Sequence, residues 1–267
     1  MKPAPFRFVA AGSLEEALAA LAEGGEEAKP IAGGQSLVPA LNMRLVRPTV
    51  LVDLNRAGLE GIRLENGNVR VGATTRQAAL ERSELAHPLV REALPFVGHV
   101  VTRNRGTVGG SVAHADGSAE LPLCLVALGG AVVTDRRTVP AAEFFVTHYT
   151  TVLEPGELIT ATLWPRRAEP AAFAELALRA GDFALSAVAV CGATVAVGAV
   201  TDRPTILDEL ATLLRGAAPS PELAREAGAL AARLVDPPGH VHATAAYLKH
   251  VTGILVERAL QRAWTSS

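Results

Sequence analysis

The stretch 103–122, RNRGTVGGSVAHADGSAELP, carries the pattern on which the interpretation of this sequence depends. Three glycines fall within residues 106–110, and the small hydroxyl residues Thr107 and Ser111 lie beside them. Glycine reaches left-handed backbone angles and has no β-carbon to block a ligand, and hydroxyl groups add hydrogen-bond donors. Successive N–H groups of such a loop can form an anion-binding concavity. The pattern therefore predicts a phosphate-binding loop, and a glycine-rich turn between packed elements is the alternative.

A second segment, KPIAGGQSLV at residues 29–38, has the same chemistry. Gly33 and Gly34 are followed at once by Gln35 and the hydroxyl residue Ser36. Two such loops can hold one extended diphosphate from two sides. Neither segment matches G-x-G-x-x-G or G-x-x-x-x-G-K-[ST], so the nucleotide-binding folds that those patterns indicate are not supported. The spacing alone predicts a dinucleotide or another phosphate ligand between two loops.

Five motifs in order extend this interpretation to nearly the whole chain. They are AGGQSL at 32–37, RNRGTVGGS at 103–111, AHAD at 113–116, AELP at 119–122 and GDFAL at 181–185. Together they resemble the FAD-binding medium subunits of the molybdenum hydroxylases. That family includes aerobic carbon monoxide dehydrogenase and the bacterial relatives of xanthine dehydrogenase. The resemblance runs from Phe6 to about Ala263.

This resemblance implies an α+β fold with two domains of different kinds. The first is a two-part FAD-binding domain of the PCMH/vanillyl-alcohol-oxidase-like type. The second is a small sheet-and-helix domain that resembles the C-terminal domain of the carbon monoxide dehydrogenase flavoprotein. We expect residues 1–56 and 57–165 to form the two FAD-binding subdomains and residues 170–267 the C-terminal domain, with Pro165–Pro170 as the linker.

Local signals predict several of the elements that would carry these loops. Ser13 and Glu16 form a capping box, which opens a helix that ends near Ala22. The pair Asn66–Gly67 between two apolar runs is a strong hairpin signal. Further helices are expected at 119–128 and, in the last unit, near 206–214, 221–234 and 243–263.

The resemblance also implies a binding role for individual residues. The pyrophosphate of FAD is expected between the segments Ala32–Ser36 and Thr107–Ser111. The complete set of implied FAD-binding residues is Ala32, Gly33, Gly34, Gln35, Ser36, Leu37, Thr107, Val108, Gly109, Gly110, Ser111, Asp116, Ile159 and Phe183. The flavin is expected to be non-covalent, because neither loop has a His or Cys placed to attach it.

Three of these residues have a competing structural interpretation. Asp116 is expected to accept hydrogen bonds from ribityl or ribose hydroxyls. It is also suited to capping the helix at 119–128, and the two roles are compatible. Phe183 is expected near the flavin ring, with a core phenylalanine as the alternative. Ile159 is expected against the adenine or the ring, on the evidence of an apolar strand alone.

Charged residues near the loops are open to more than one interpretation. Arg103 and Arg105 flank the glycines and are suited to the diphosphate, to a partner subunit or to a structural salt bridge. Lys29 is interpreted as a solvated charge rather than a phosphate ligand. The pair His240-x-His242 lacks further ligand candidates nearby, so we predict no metal site. Gln35 stands where carbon monoxide dehydrogenases tend to carry histidine, which disfavours CO as the substrate.

The amino-acid composition argues against a nucleic-acid-binding, membrane or iron–sulfur protein. Of 267 residues, 49% are hydrophobic, 19% are charged and 4% are aromatic, and the net charge is −2. This balance gives no basis for a nucleic-acid groove or a membrane-surface patch. We expect neither a signal peptide nor a membrane span, and a cytoplasmic location. Cys124 and Cys191 lie in apolar runs and are expected to be buried free thiols, too few for an iron–sulfur cluster.

No carboxylate pair, catalytic triad or activated nucleophile stands out, which is typical of a subunit whose chemistry belongs to its cofactor. The resemblance implies a hetero-oligomer. A molybdopterin-containing large subunit oxidises a substrate, 2Fe–2S clusters of a second partner relay the electrons, and FAD on this chain passes them to an acceptor. The alternatives are a stand-alone FAD-dependent oxidoreductase and a non-enzymatic nucleotide-binding protein.

Overall fold

The computed structural model describes residues 2–265, and its strands form three main sheets that follow one another along the chain. The first sheet is parallel, with strand order β1-β3-β2. Its strands are β1 (Arg7–Ala10), β2 (Ala28–Ile31) and β3 (Val50–Asp53), and its helices are α1 (Leu14–Gly24) and α2 (Leu37–Asn42). Because β2 leads directly into residues 32–36, the first glycine segment lies at the carboxyl end of a parallel strand.

The predicted cap of α1 is confirmed with one change of partner. The Ser13 hydroxyl accepts a hydrogen bond from the N–H of Glu16 at 3.2 Å. The Glu16 carboxylate accepts from the N–H of Gly12 at 2.7 Å. In a standard capping box it would accept from the N–H of the N-cap residue itself, which here is Ser13. The helix runs to Gly24, two residues past the predicted end.

The second sheet is antiparallel and has the strand order β4-β5-β10-β6-β7. Its first hairpin turns at Asn66 and Gly67, both with positive φ (49° and 78°), which confirms the predicted turn. The strands are β4 (Ile62–Glu65), β5 (Asn68–Gly72), β6 (Ala131–Thr134), β7 (Thr138–Pro140) and β10 (Ile159–Pro165). A two-stranded ribbon, β8 (Phe145–Thr147) and β9 (Thr150–Thr151), lies before β10.

Short helices connect the strands of the second sheet. They are α3 (Gln77–Arg82), α4 (Pro88–Ala93), α5 (Val100–Arg105), α6 (Val108–His114), α7 (Glu120–Ala127) and α8 (Ala141–Phe144). Every residue of α7 is buried, so this helix forms the centre of the core. The prediction that 107–111 is a loop was wrong, since these residues cap and begin α6.

The third sheet is an antiparallel meander, β11-β12-β13-β14, covered by three helices. The strands are β11 (Ala171–Ala177), β12 (Ala184–Cys191), β13 (Thr194–Gly198) and β14 (Thr205–Ile206), and the helices are α9 (Asp208–Leu214), α10 (Pro221–Leu234) and α11 (Ala245–Thr265). The three predicted C-terminal helices are therefore confirmed. Helices α10 and α11 cross closely at Gly228 and Gly253. A β-carbon on Gly228 would lie only 2.5 Å from the carbonyl oxygen of Gly253, so the crossing requires glycine there.

Strand β12 joins the C-terminal sheet to the rest of the protein. All eight of its residues are buried, and they alternate between two cores. Ala187, Ala189 and Cys191 belong to the core around α7, whereas Val188 and Val190 belong to the core formed with α10 and α11. A strand buried on both faces loses the polar alternation of a surface strand, and small residues on one face let α7 approach.

Two observations on the described residues bear on the compositional expectations. Cys124 and Cys191 are both buried and free, as expected. Between residues 2 and 265, no helix is long and apolar enough to cross a bilayer.

A buried carboxyl lies where α7 meets the C-terminal sheet. Burial raises the pKa of Glu120, the first residue of α7, to about 7, and the carboxyl of Asp116 adds to the effect. Burial likewise raises the pKa of Glu175 on β11 to about 8, with the Glu120 carboxyl as a second cause. At neutral pH both groups are therefore at least partly protonated in the folded protein, whereas both would be ionised in the unfolded chain.

We predict that Glu120→Gln flattens the pH dependence of stability. Between the unfolded pKa near 4.5 and the folded pKa near 7, the native protein binds more protons than the unfolded chain, so stability falls as pH rises. Glutamine cannot ionise, so the variant should gain stability at pH 8, by at most on the order of 3 kcal/mol, and little at pH 4. Thermal melts across this range measure the effect. The exposed Glu226→Gln is the control, and parallel curves for Glu120→Gln and wild type would contradict the assignment.

Candidate functional site: two glycine segments in contact

The structure brings the two glycine segments together, backbone against backbone. A β-carbon on Gly33 would lie 2.5 Å from the carbonyl oxygen of Arg105 and 2.8 Å from the Cα of Gly106. These distances are shorter than any real β-carbon contact, so only glycine permits this approach. Gly33 thus fixes the position of the first segment (residues 32–37) against the start of the second (residues 106–111).

Two side chains outside the predicted set of site residues hold this contact. The Asn55 side-chain amide donates to the carbonyl oxygen of Ala32 at 3.0 Å. Arg76 donates to the Asn55 side-chain oxygen at 2.6 Å and also to the carbonyl oxygen of Arg105. Asn55 follows β3 at the carboxyl end of the parallel sheet, a position where ligands often bind. That position was the signal available in the sequence.

The first segment presents a run of backbone donors. The amide N–H groups of residues 33–37 make no hydrogen bond within the described residues 2–265. Gly34 has a left-handed φ of 72°, and Gln35 folds back to donate from its side chain to the carbonyl oxygen of Gly33 at 3.2 Å. Ser36 is the N-cap of α2, yet its hydroxyl makes no capping bond. Five successive donors around a left-handed glycine are typical of an anion-binding concavity.

The second segment uses its backbone differently. The N–H of Val108 donates to the carbonyl oxygen of Thr75, and that of Gly109 donates to Ala73, both at 2.9 Å. The N–H of Gly110 donates to the Thr107 hydroxyl at 3.2 Å, which caps α6. Two of these three amides are therefore committed to neighbouring backbone. The N–H groups of Val108 and Gly109 therefore stabilise the fold and are not free to bind a ligand.

Packing explains two of the three glycines in this segment. A β-carbon on Gly109 would lie 2.6 Å from the β-carbon of Ala73, and one on Gly106 would lie 2.5 Å from a side-chain oxygen of Gln77. Thr107, Val108 and Gly109 are buried. Gly110 is exposed and Ser111 is half-buried. The surface that this segment offers to a ligand is therefore Gly110 with Ser111.

Asp116 is 8% exposed, and both of its carboxylate oxygens accept hydrogen bonds from neighbouring residues. Its Oδ1 accepts from the N–H and the hydroxyl of Ser118 at 2.9 and 2.7 Å. Its Oδ2 accepts from the hydroxyl of Tyr149 at 3.2 Å. Helix α7 begins at Glu120 with Ala119 as its N-cap and no side-chain cap. The interpretation of Asp116 as the cap of that helix was therefore wrong.

The remaining predicted ligand contacts lie on different elements. Ile159 is 5% exposed, at the start of β10 and within the core. Phe183 is 77% exposed, immediately before β12, so it is not a core phenylalanine. Its loop lies beside the start of α5, because a β-carbon on Gly181 would lie 2.7 Å from the ring of His99. The binding roles of these residues stay predictions.

The charged neighbours separate into structural and exposed groups. Arg103 is buried and pairs with Glu81 at 2.8 Å, and it also donates to three backbone carbonyl oxygens of residues 95–98. It is therefore a structural residue, whereas Arg105 is exposed. The rings of His240 and His242 lie 5.7 Å apart, and the described residues contain no group of three metal-ligating side chains around them or elsewhere.

We predict that Gly33→Ala destabilises the protein. The new methyl group must push apart two backbone segments that Asn55 and Arg76 hold together, at a cost of about 1–3 kcal/mol for an overpacked contact. Thermal or urea unfolding measures the loss. The control is Gly12→Ala, whose β-carbon would meet only the flexible Glu16 carboxylate at 3.3 Å. Equal stability of the two variants would contradict the close contact.

Comparison with known protein families divides the chain into two matched regions. Residues 4–167 match the FAD binding domain in molybdopterin dehydrogenase. Residues 165–263 match the CO dehydrogenase flavoprotein C-terminal domain. The two matches together cover nearly the whole sequence and agree with the two-part architecture expected from the five motifs.

Three relatives illustrate matches over nearly the full length of both chains. The chain is 40% identical to the 6-hydroxypseudooxynicotine dehydrogenase complex subunit alpha of Paenarthrobacter nicotinovorans, over 98% of this chain and 96% of the relative. It is 33% identical to the carbon monoxide dehydrogenase medium chain of Afipia carboxidovorans, over 98% of each. In fold it matches a chain of quinoline 2-oxidoreductase from Pseudomonas putida 86, with a TM-score of 0.95, 33% identity, and coverage of 100% of this chain and 99% of that one. The chain therefore belongs to the family of FAD-binding medium subunits of the molybdenum hydroxylases.

Proposed function

We propose that this chain binds one FAD non-covalently, with its diphosphate between the free amides of residues 33–37 and the exposed surface of Gly110 and Ser111. The observation that carries the proposal is the run of five N–H groups at residues 33–37 that find no partner within residues 2–265, in a segment that Gly33 holds against the second one. A diphosphate is anionic and needs several hydrogen-bond donors without bulky side chains. The first segment supplies those donors, and the second supplies a surface without a side chain at Gly110.

Bound FAD supplies the redox chemistry, while the protein supplies binding and orientation. Within the proposed site, Ala32–Leu37 and Thr107–Ser111 position the diphosphate, directly or by supporting the backbone that does. Asp116 serves the sugar region, and Ile159 and Phe183 serve the ring or the adenine. Asn55 and Arg76 hold the two segments together through hydrogen bonds to the backbone of each.

The family and its relatives favour a subunit over a stand-alone enzyme. The matched relatives are named as a complex subunit and as a medium chain. We infer that an iron–sulfur subunit delivers electrons to FAD on this chain and that a molybdopterin-binding large subunit oxidises the substrate. Relatives of similar fold are named for substrates as different as carbon monoxide and quinoline. Substrate choice is therefore assigned to the large subunit.

We propose the same division of the chain that the sequence suggested. The boundaries are 1–56 and 57–165 for the two FAD-binding parts and 170–267 for the C-terminal domain. Each range contains one main sheet, which supports the division.

Gly110→Val tests the diphosphate site. The substitution places a branched side chain on the exposed surface and displaces the Thr107 hydroxyl, which lies 2.6 Å from the position of the new β-carbon. We expect FAD binding to be lost while the fold persists, measured by flavin absorbance and by titration of apo-protein. Thr107→Ala is the comparison, since it removes only the cap, at about 1 kcal/mol of stability, and should retain much more affinity. FAD binding by Gly110→Val with normal affinity would reject the site.

Reconstitution tests the role of the chain in electron transfer. The isolated, FAD-loaded chain should accept electrons from a chemical reductant but should not turn over any molybdenum-hydroxylase substrate. Addition of the iron–sulfur and molybdenum subunits should restore flavin reduction by substrate, followed as bleaching of the flavin absorbance. Turnover by the isolated chain would reject the subunit assignment and favour a stand-alone oxidoreductase.

A further inference from the structure

Tyr149 is held in a backbone conformation that a bulky residue rarely adopts. Its φ is 57°, in the left-handed region, where a β-carbon is crowded. Its N–H donates at 2.8 Å to the carbonyl oxygen of Ala115, which itself has a φ of 51°. Two left-handed residues thus lock the ribbon of β8 and β9 onto the end of α6. Such strain is found where a side chain has to be held in one position, often at a ligand site.

The hydroxyl of Tyr149 bonds to Asp116, and Tyr149 itself is mostly exposed. Its O–H donates to the Oδ2 of Asp116 at 3.2 Å, while the residue as a whole is 62% exposed. Partial burial and the neighbouring Asp116 carboxylate raise the pKa of Tyr149, so the hydroxyl keeps its proton at neutral pH. With its proton directed at Asp116, the Tyr149 oxygen presents its lone pairs outward as a hydrogen-bond acceptor.

Asp116, by contrast, has little surface for a ligand. It is 8% exposed, and its two oxygens already accept three hydrogen bonds from Ser118 and Tyr149. The Tyr149 side chain is therefore much more accessible to a sugar hydroxyl than the Asp116 carboxylate is.

The position of Tyr149 relative to the glycine segments suits a sugar. Its ring packs against His114, the last residue of α6, with centroids 4.9 Å apart. The first turn of the same helix carries Gly110 and Ser111, and a helix of seven residues is about 10 Å long. In FAD, a ribose and a ribityl chain flank the diphosphate directly. A hydroxyl acceptor at the far end of α6 is therefore placed for one of these two groups.

We propose that Tyr149 is an FAD-binding residue whose oxygen accepts a hydrogen bond from a ribose or ribityl hydroxyl, and that Asp116 is a positioning residue that orients the Tyr149 hydroxyl. The proposal rests on the proposed FAD site. It assigns the direct contact to an exposed tyrosine outside the five sequence motifs, and it gives the strained backbone a role.

The first experiment compares FAD affinity of Tyr149→Phe and Tyr247→Phe in the full chain, by fluorescence titration of apo-protein. Tyr149→Phe keeps the ring and loses the hydroxyl, so the Kd for FAD should rise about 3- to 10-fold, the effect of one lost hydrogen bond. Tyr247 is the matched control, a 47% exposed tyrosine on α11, and its substitution should leave the Kd unchanged.

Two further variants separate binding from folding. Tyr149→Gly suits the left-handed φ, which offsets the loss of the contacts with His114 and Asp116, so the apo-protein should melt close to wild type, while the Kd should rise more than for Tyr149→Phe. Asp116→Asn places an amide that donates to the Tyr149 oxygen and occupies the acceptor. Its effect on the Kd should be less than additive with that of Tyr149→Phe, because both changes act on one hydrogen bond.

The outcomes distinguish this inference from the proposed function. If Tyr149→Phe and Tyr149→Gly bind FAD as tightly as Tyr247→Phe while Gly110→Val does not bind it, the role of Tyr149 is rejected and the diphosphate site stands. A lower melting temperature of Tyr149→Phe with an unchanged Kd likewise rejects the inference, since the role is then structural. If Gly110→Val also binds FAD normally, the proposed site itself fails.

Discussion

A contact between two pieces of backbone, with no side chain between them, is the constraint on which the proposed site depends. Gly33 follows the parallel sheet, and residues 105–107 connect two helices of the antiparallel unit. Their approach leaves no room for a β-carbon at position 33, and Asn55 and Arg76 bridge the same junction with hydrogen bonds to both backbones. The first segment is thereby held beside the start of the second segment, whose next helical turn carries the exposed Gly110.

The two segments have similar compositions, but the fold uses them in different ways. The first stays outside regular structure up to the N-cap of α2, and its amides remain unpaired within the described chain. Gln35 and Ser36 are exposed, whereas Gly33 is buried against the second segment. The second begins a helix against the core, where backbone N–H groups need partners, and those of Val108 and Gly109 find them on Thr75 and Ala73. Position 109 needs glycine because a β-carbon there would clash with Ala73. Gly110 is exposed, so its lack of a side chain leaves that surface accessible to a ligand.

The C-terminal sheet is not a separate appendage to the FAD-binding part. Strand β12 is buried on both faces, and its alanines pack in the same core as the fully buried helix α7. The contact of Gly181 with His99 then fixes the loop that carries Phe183 beside α5, which leads into the second glycine segment. This close junction has an electrostatic cost, since burial raises the pKa of both Glu120 and Glu175.

The sequence by itself determined the family, the cofactor class and the elements with strong local signals. The Ser13 cap, the Asn66–Gly67 turn and the three C-terminal helices depend on residues close together in the chain. Tertiary structure decided the helix at Val108–His114, because glycines disfavour a helix by about 1 kcal/mol each and packing on Ala73 reverses that preference. It also decided the link from Asn55 to Arg76, the burial of Asp116 and the exposure of Tyr149. These features depend on contacts between residues far apart in the chain, and a local sequence pattern does not specify such contacts.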